Sequence, residues 1–111
     1  AGDQNYVLET VESILADIPE EYSLSQNYPN PFNPLTHLDF AIPRRSMVEI
    51  AVYNMLGQEV ITLVNKELNY GYHSITWRGM DRFGKPAATG MYLAKLQAPG
   101  FIRTRKMILL K

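Results

Sequence analysis

The stretch NYPNPFNP, residues 27–34, separates two parts of the chain that follow different sequence patterns. Its three prolines have no backbone N–H and a fixed φ, and each one biases the residue before it toward extended geometry. The stretch can therefore form neither a helix nor a central strand. We expect it to lead into the next strand without forming a ladder of hydrogen bonds, anchored by the rings of Tyr28 and Phe32.

After this stretch, apolar residues recur at every second position, which is the period of a half-buried strand. Turns that contain glycine or proline separate the runs, as at residues 54–57 and 81–84. The alternation predicts an all-β fold, an antiparallel sandwich of six to seven strands. The predicted inner faces consist of Leu38, Phe40 and Ile42; Val48, Ile50 and Val52; residues 60–64; His73, Ile75 and Trp77; Tyr92, Ala94 and Leu96; and Met107 and Leu109.

Residues 1–21 follow a helical period instead, and we expect them to form an arm distinct from a sandwich at residues 22–111. The spacing predicts an amphipathic helix over residues 5–18, ended by Pro19. An extended arm is the alternative, because Val, Ile and Thr also suit a strand. In either form the apolar side needs a partner surface, and it consists of Val7, Leu8, Val11, Ile14, Leu15 and Ile18.

The net charge of zero conceals a separation of charge along the chain. Residues 1–43 contain seven acidic and no basic residues, whereas residues 44–111 contain eleven basic and four acidic residues, so the two parts carry −7 and +7. The favoured interpretation is that the acidic arm folds back on its own basic domain. The alternative is that arm and domain attract each other between molecules, head to tail.

The sequence offers few groups that could do chemistry. It contains no Cys, which excludes disulfides, thiolate metal sites and a Cys nucleophile. The two histidines, His37 and His73, lack the convergent partners that a metal ligand or a general base requires, and His73 is expected to be packed and hydrogen-bonded. Asp81 suits a turn better than a calcium loop. We therefore expect no catalytic residue, no metal site and no cofactor.

Several binding partners are also disfavoured. No apolar run approaches the ~20 residues of a membrane-spanning helix, so no membrane-spanning segment is expected. The basic residues of the last strand have no recognition helix or paired aromatics beside them, which argues against nucleic acid. Exposed tyrosines could form a sugar-binding platform, although Tyr and Trp more often supply core contacts.

Five sequence blocks in a fixed order carry a resemblance to a known family. The blocks are residues 25–34; residues 36–43; residues 52–60; residues 71–92 with their Trp-Arg-Gly-Met-Asp run; and residues 106–111. With these blocks, residues 22–111 resemble the type A C-terminal sorting domain of the type IX secretion system, whose close relative is the immunoglobulin-like domain of flagellar hook-capping proteins. Arg78 departs from the family pattern, which usually has Asp or Asn there. The motif positions that we single out are Tyr28, Pro29, Pro31, Phe32, Gly57, Trp77, Asp81, Gly84, Gly90 and Tyr92.

The resemblance implies an immunoglobulin-like sandwich without catalytic activity. It implies a domain that an outer-membrane translocon recognises and that a sortase-like protease can remove, on a protein exported through the periplasm of a Gram-negative-type bacterium to the surface or the medium. The expected partner surface lies on the last strand and consists of Arg103, Arg105, Lys106 and Lys111.

Two other protein functions compete with this one. The chain could be a structural subunit of an extracellular filament or surface assembly, in which the arm docks on another copy. It could also be a scaffold domain like that of a hook cap. An enzyme is the least expected class.

Overall fold

The computed structural model describes residues 18–111, and this part of the chain is all-β. All strand pairs are antiparallel, as predicted. The predicted helix over residues 5–18 lies outside the described residues except for Ile18, which is partly exposed ahead of a buried Pro19. The strands are β1 (Ser23–Leu24), β2 (Thr36–Ile42), β3 (Ser46–Asn54), β4 (Glu59–Leu68), β5 (Gly71–Trp77), β6 (Gly90–Ala98) and β7 (Phe101–Leu109).

The seven strands form two sheets. One has three strands in the order β1-β2-β5, and the other has four in the order β4-β3-β6-β7. The chain passes from one sheet to the other after β2, after β4 and after β5, which is the connectivity of a sandwich. The edges of the sandwich are therefore β1 and β7 on one side and β5 and β4 on the other.

Side chains from both sheets meet in one core, and the period-two alternation identifies most of them. Because successive residues of a strand point to opposite faces, the alternate apolar residues of β2, β3, β6 and β7 all turn inward. β4 is the exception: it is longer than predicted, contains two register shifts against β3, and buries only Val64. The buried apolar residues on the strands are Leu24, Leu38, Phe40, Ala41, Ile42, Val48, Ile50, Ala51, Val52, Val64, Trp77, Tyr92, Ala94, Leu96, Met107 and Leu109.

Gly79, just after β5, brings two segments into close contact. Its φ is +71°, and a Cβ at this position would lie 3.0 Å from the carbonyl oxygen of Pro34. Gly57 has a similar φ of +81° in the turn between β3 and β4, but the space around it is open. The two glycines therefore share the same backbone requirement, and only Gly79 also requires the absence of a side chain.

Replacing Gly57 and Gly79 by alanine separates the cost of the positive φ from the cost of the close contact with Pro34. We expect Gly57→Ala to lower the free energy of unfolding by about 1–2 kcal/mol, the usual cost of a left-handed conformation for an L-residue. Gly79→Ala should lower it by about 1–3 kcal/mol more, because its methyl group overpacks against the Pro34 carbonyl. Urea denaturation of the two variants measures the difference, and equal losses would contradict the close approach.

Candidate functional site

The proline-containing stretch lies along the outer edge of β7. The N–H of Phe32 donates to the oxygen of Ile108, and the N–H of Leu110 donates to the oxygen of Phe32, each over 2.9 Å. Side chains extend the contact, since Asn30 Oδ1 accepts from the N–H of Ile108 over 3.0 Å and Gln26 Nε2 donates to Lys106 O over 2.7 Å. We call residues 26–34 the proline clamp. It covers the C-terminal half of the β7 edge, where an open strand would invite pairing with another chain.

The ring of Phe32 anchors the clamp in the core. Phe32 is only 2% exposed, and its ring centroid lies 5.4 Å from that of Trp77. Trp77 in turn packs edge-on against Tyr92 at 5.2 Å and donates from Nε1 to Met80 O over 2.9 Å. These three rings connect the clamp to both sheets, and their mutual tilts are those that aromatic pairs favour.

The buried side-chain amide of Asn27 holds the clamp against the start of β2. Asn27 is 3% exposed, and its Nδ2 donates to Thr36 Oγ1 over 2.8 Å and to Pro29 O over 3.2 Å. The hydroxyl of Thr36 donates to the same Pro29 oxygen over 2.9 Å. Each polar group thus has a partner inside the segment, which is what permits their burial.

Tyr28 anchors the stretch from outside the core. Tyr28 is 50% exposed and pairs with His37 through an isolated bridge, so its ring lies on the outer face of the β1-β2-β5 sheet. Its centroid is 5.4 Å from that of His37, and its hydroxyl donates to Asp39 Oδ1 over 3.3 Å. In this position the Tyr28 hydroxyl meets solvent and the Asp39 carboxylate, whereas the Phe32 ring has no polar group and is buried.

Two turns with the same geometry project from the end of the sandwich where β7 ends. In each, a side-chain oxygen of the first residue, Asn54 or Asp81, accepts hydrogen bonds from the backbone N–H groups two and four residues later, over 2.9–3.0 Å. In each, a glycine at the fourth position has φ near +80°. Their tips are apolar and exposed, with Leu56 84% and Phe83 75% exposed, and a cleft of about 470 Å³ lies between the turns.

The four basic residues predicted to form one partner surface do not share a face. Arg105 points to the inner side, where its Nε donates to Leu24 O over 2.8 Å. Arg103 has the same parity, and its guanidinium lies 5.4 Å from the centre of the Phe101 ring. Lys106 alternates with the buried Met107 and so points to the outer face, while Lys111 follows the end of the strand. Lys106 therefore points to the face opposite Arg103 and Arg105.

An apolar stripe on the same outer face was not singled out from the sequence. Strand register pairs Met91 with Ile108 and Leu93 with Lys106 across β6 and β7, and Leu110 lies just beyond the end of β7. Met91 is 38% and Leu110 is 47% exposed. We call these five residues the outer stripe. The signal was present in the sequence, because apolar residues occupy both faces of β6 and the end of β7.

Within the described residues, His37 and His73 each have a hydrogen-bond partner. Between residues 18 and 111, no three His, Asp or Glu side chains are grouped closely enough to hold a metal ion. His37 bonds through Nδ1 to Thr76 Oγ1, and His73 donates from Nε2 to Asn69 O while its ring stacks on Phe40 at 5.2 Å. Both histidines are thus engaged in structural contacts, and they lie on opposite faces of one sheet. Within the same residues, no helix is long and apolar enough to span a membrane.

The clamp's buried amide can be tested within the motif itself. We expect Asn27→Ala to lower the free energy of unfolding by about 1–3 kcal/mol, because it removes three hydrogen bonds, to Thr36, Pro29 and Gln26, and leaves Thr36 with one partner fewer. Amide hydrogen exchange should also quicken at Leu110, whose N–H the clamp holds. The exposed Asn33→Ala is the matched control and should cost less than about 0.5 kcal/mol. Equal effects of the two variants would exclude the proposed role of Asn27.

Tyr92 gives a second test, because burial raises the pKa of its hydroxyl above the ordinary value of 10.0. The hydroxyl donates to Ala88 O over 2.5 Å, so Tyr92→Phe should cost about 0.5–1.5 kcal/mol at neutral pH. Above pH 10 the unfolded wild-type tyrosine loses its proton first, so wild-type stability should fall with rising pH. The difference in the free energy of unfolding between wild type and Tyr92→Phe should therefore become smaller above pH 10. Denaturation curves at neutral and alkaline pH measure it, and a constant gap would contradict this argument.

The fold occurs in solved structures of otherwise different proteins. The dimeric latent form of PorU from Porphyromonas gingivalis matches 83% of this chain with a TM-score of 0.65 and 19% identity. PorZ from the same bacterium, an essential surface component of its type IX secretion system, matches 81% with a TM-score of 0.53 and 13% identity. The DNA glycosylase AlkC of Pseudomonas fluorescens, bound to DNA with an abasic-site analogue, matches 88% with a TM-score of 0.54 and 14% identity. At these identities the likeness shows the fold alone.

The chain spans a small part of each of these proteins: 10% of the PorU chain, 11% of the PorZ chain and 33% of the AlkC chain. No curated protein matches it. The family model for the FlgD Ig-like domain matches residues 36–100, from the first residue of β2 to the turn before β7. That match covers more than half of the sequence, and the chain therefore belongs to the family of FlgD Ig-like domains.

Proposed function

We propose that the chain is a non-catalytic sorting domain of the type IX secretion system, which addresses a protein to the cell surface or the medium. Two observations support the proposal: the order of the sequence blocks from residues 25–34 to residues 106–111, and the likeness of the fold to parts of PorU and PorZ. The type A sorting class is the finer part of this assignment. It rests on the sequence blocks, since the immunoglobulin-like family alone does not distinguish a sorting domain from a scaffold domain.

The order of the sequence blocks is the observation that carries the proposal, and the structure of the proline clamp indicates where a partner could bind. The Phe32 ring and the Asn27 side chain of the proline clamp make internal contacts. Phe32 is only 2% and Asn27 only 3% exposed. A partner cannot contact those two side chains unless the clamp detaches from the edge of β7. We therefore assign recognition to groups that the clamp leaves exposed beside it, on the outer stripe.

The outer stripe has the composition of a protein-binding surface. It combines the exposed apolar residues Met91 and Leu110 with the Lys106 ammonium group, and Lys111 lies close by in sequence. Apolar side chains supply burial, and the lysines favour a partner that carries acidic groups. The partner proposed here is the outer-membrane translocon, with a sortase-like protease as a later partner.

An export assay tests this function. Fused behind a reporter that is directed to the periplasm, the chain should carry the reporter to the surface or medium of a bacterium with a working type IX system. In a strain without the translocon, the reporter should remain periplasmic. Export in both strains, or in neither, would refute the sorting role.

The same assay tests the outer stripe. The double variant Met91→Glu/Leu110→Glu should reduce exported reporter at least about fivefold. It replaces apolar contacts with two negative charges, which an acidic partner would repel. Met47→Glu is the matched control: Met47 is 53% exposed on the outer face of β3, at the opposite end of the sheet, and its replacement should leave export unchanged. Equal export by both variants would assign recognition to another surface.

The alternative, a subunit of an extracellular filament, stays a prediction. Its docking face, Val7, Leu8, Val11, Ile14 and Leu15, lies outside the described residues, and of the whole face only Ile18 is described. Light scattering distinguishes the two functions, because a sorting domain should be monomeric and a filament subunit should associate in a manner that depends on residues 1–17.

A further inference from the structure

The outer face of the three-stranded sheet has a chemistry unlike that of the rest of the molecule. Its strands β1, β2 and β5 contain no Lys or Arg, although the chain has eleven such residues. The side chains that point away from the core are mainly hydroxyl-bearing or aromatic. They are Ser23 on β1; His37, Asp39 and Ala41 on β2; and Tyr72, Ser74 and Thr76 on β5.

Strand register arranges these side chains around a trough. One row across the sheet runs from Ser23 through Ala41 to Tyr72, and the adjacent row joins Asp39 to Ser74. The small side chain of Ala41, only 3% exposed, forms the floor. The result is a cleft of about 390 Å³, which we call the hydroxyl cleft, with Ser25 as a further lining residue.

Tyr72 forms the wall of the hydroxyl cleft and is the most unusual residue in it. Its side chain is 67% exposed, although it lies within a regular strand. A tyrosine ring offers a flat apolar face and a hydroxyl that can donate and accept hydrogen bonds. Tyr28, 50% exposed, reaches the same face from the proline clamp and contacts Asp39 at the other end of the cleft.

Asp39 supplies the strongest hydrogen-bond acceptor of the hydroxyl cleft. Among residues 18–111 the one ion pair is that of Arg45 with Glu67, so the Asp39 carboxylate has no cationic partner there. Its Oδ1 accepts one hydrogen bond, from the Tyr28 hydroxyl over 3.3 Å. An ionised carboxylate has room for about four such bonds, so acceptor capacity remains for a ligand that donates hydroxyl groups.

These features select one class of ligand. A phosphorylated or otherwise anionic ligand would meet Asp39 with no Lys or Arg on these strands to balance it, and an apolar protein segment would find few apolar anchors. A sugar ring presents C–H groups to an aromatic face and hydroxyl groups at its rim. We propose that the hydroxyl cleft binds a neutral saccharide, with the ring stacked on Tyr72 and its hydroxyls bonded to Asp39 and to the serines.

The extent of the face indicates the length of the ligand. His37, which packs against Tyr28, and Ala41, which is paired with Tyr72, are four residues apart on β2, or about 13 Å at the usual strand rise. That distance suits a short oligosaccharide better than a single sugar. The site lies on the opposite sheet from the outer stripe, so saccharide binding and translocon recognition do not compete for the same residues.

Titrating the full chain with neutral hexasaccharides tests the proposal. Cellohexaose, maltohexaose and chitohexaose, each raised to millimolar concentration, are the probes, and amide chemical shifts are the readout. With at least one probe we expect saturable shifts at Asp39, Tyr72 and Ser74, and no comparable shifts along β6 and β7. Tyr72→Ala should weaken that binding at least about tenfold, which corresponds to about 1.4 kcal/mol. Asp39→Asn should weaken it severalfold while preserving the shape of the cleft.

Tyr70→Ala provides the matched control, because Tyr70 is also 50% exposed but precedes β5 and does not line the cleft. It should bind as the wild type does. The proposal fails if no neutral hexasaccharide shifts the cleft, if the two tyrosine variants bind alike, or if hexagalacturonate of the same length binds the cleft more tightly. Tyr72→Ala should also leave reporter export unchanged, which separates this site from the sorting function.

Discussion

The packing of Phe32 against Trp77 is the contact on which the rest of this structure depends. Trp77 is 1% exposed and also packs against Tyr92, so one ring cluster joins the proline clamp, the three-stranded sheet and the four-stranded sheet. With Phe32 fixed in the core, the backbone on either side of it must lie along β7. The hydrogen bonds to Ile108 and Leu110 follow from that position. Burying one ring thus closes the sandwich and protects the edge of its last strand.

Because Phe32 and Asn27 of the clamp are buried, the proposed partner sites lie on the two outer faces of the sandwich. The chemistry of these two faces differs. The face of β6 and β7 combines apolar side chains with Lys106, which suits a protein surface. The face of β1, β2 and β5 has hydroxyl groups, exposed tyrosine rings and Asp39, which suits a neutral polar ligand. The core separates the two faces, so the two proposed sites do not overlap.

The sequence predicted the antiparallel sandwich and six of its seven strands, but not the two-residue β1, and it predicted the candidate site only in part. Alternation is a local property, so it identified the inner residues of β2, β3, β6 and β7 without knowledge of their neighbours. It also held the information that Arg105 and Lys106 point to opposite faces, which the prediction of one basic surface overlooked. The direction of the Tyr28 ring could not be predicted, because a segment rich in proline has no regular period from which the direction of a side chain can be inferred.

The sequence by itself determined where six of the seven strands lie, which side of most of them is buried, and where the chain must turn, because each depends on neighbouring residues only. The tertiary structure alone decided which edges meet. The clamp reaches β7 across about eighty positions of sequence, as the bond between Gln26 and Lys106 shows. The hydroxyl cleft likewise needs Ser23, Ala41 and Tyr72 in one row. Such contacts depend on the register between distant strands, which is fixed only when all inner faces pack together in one core.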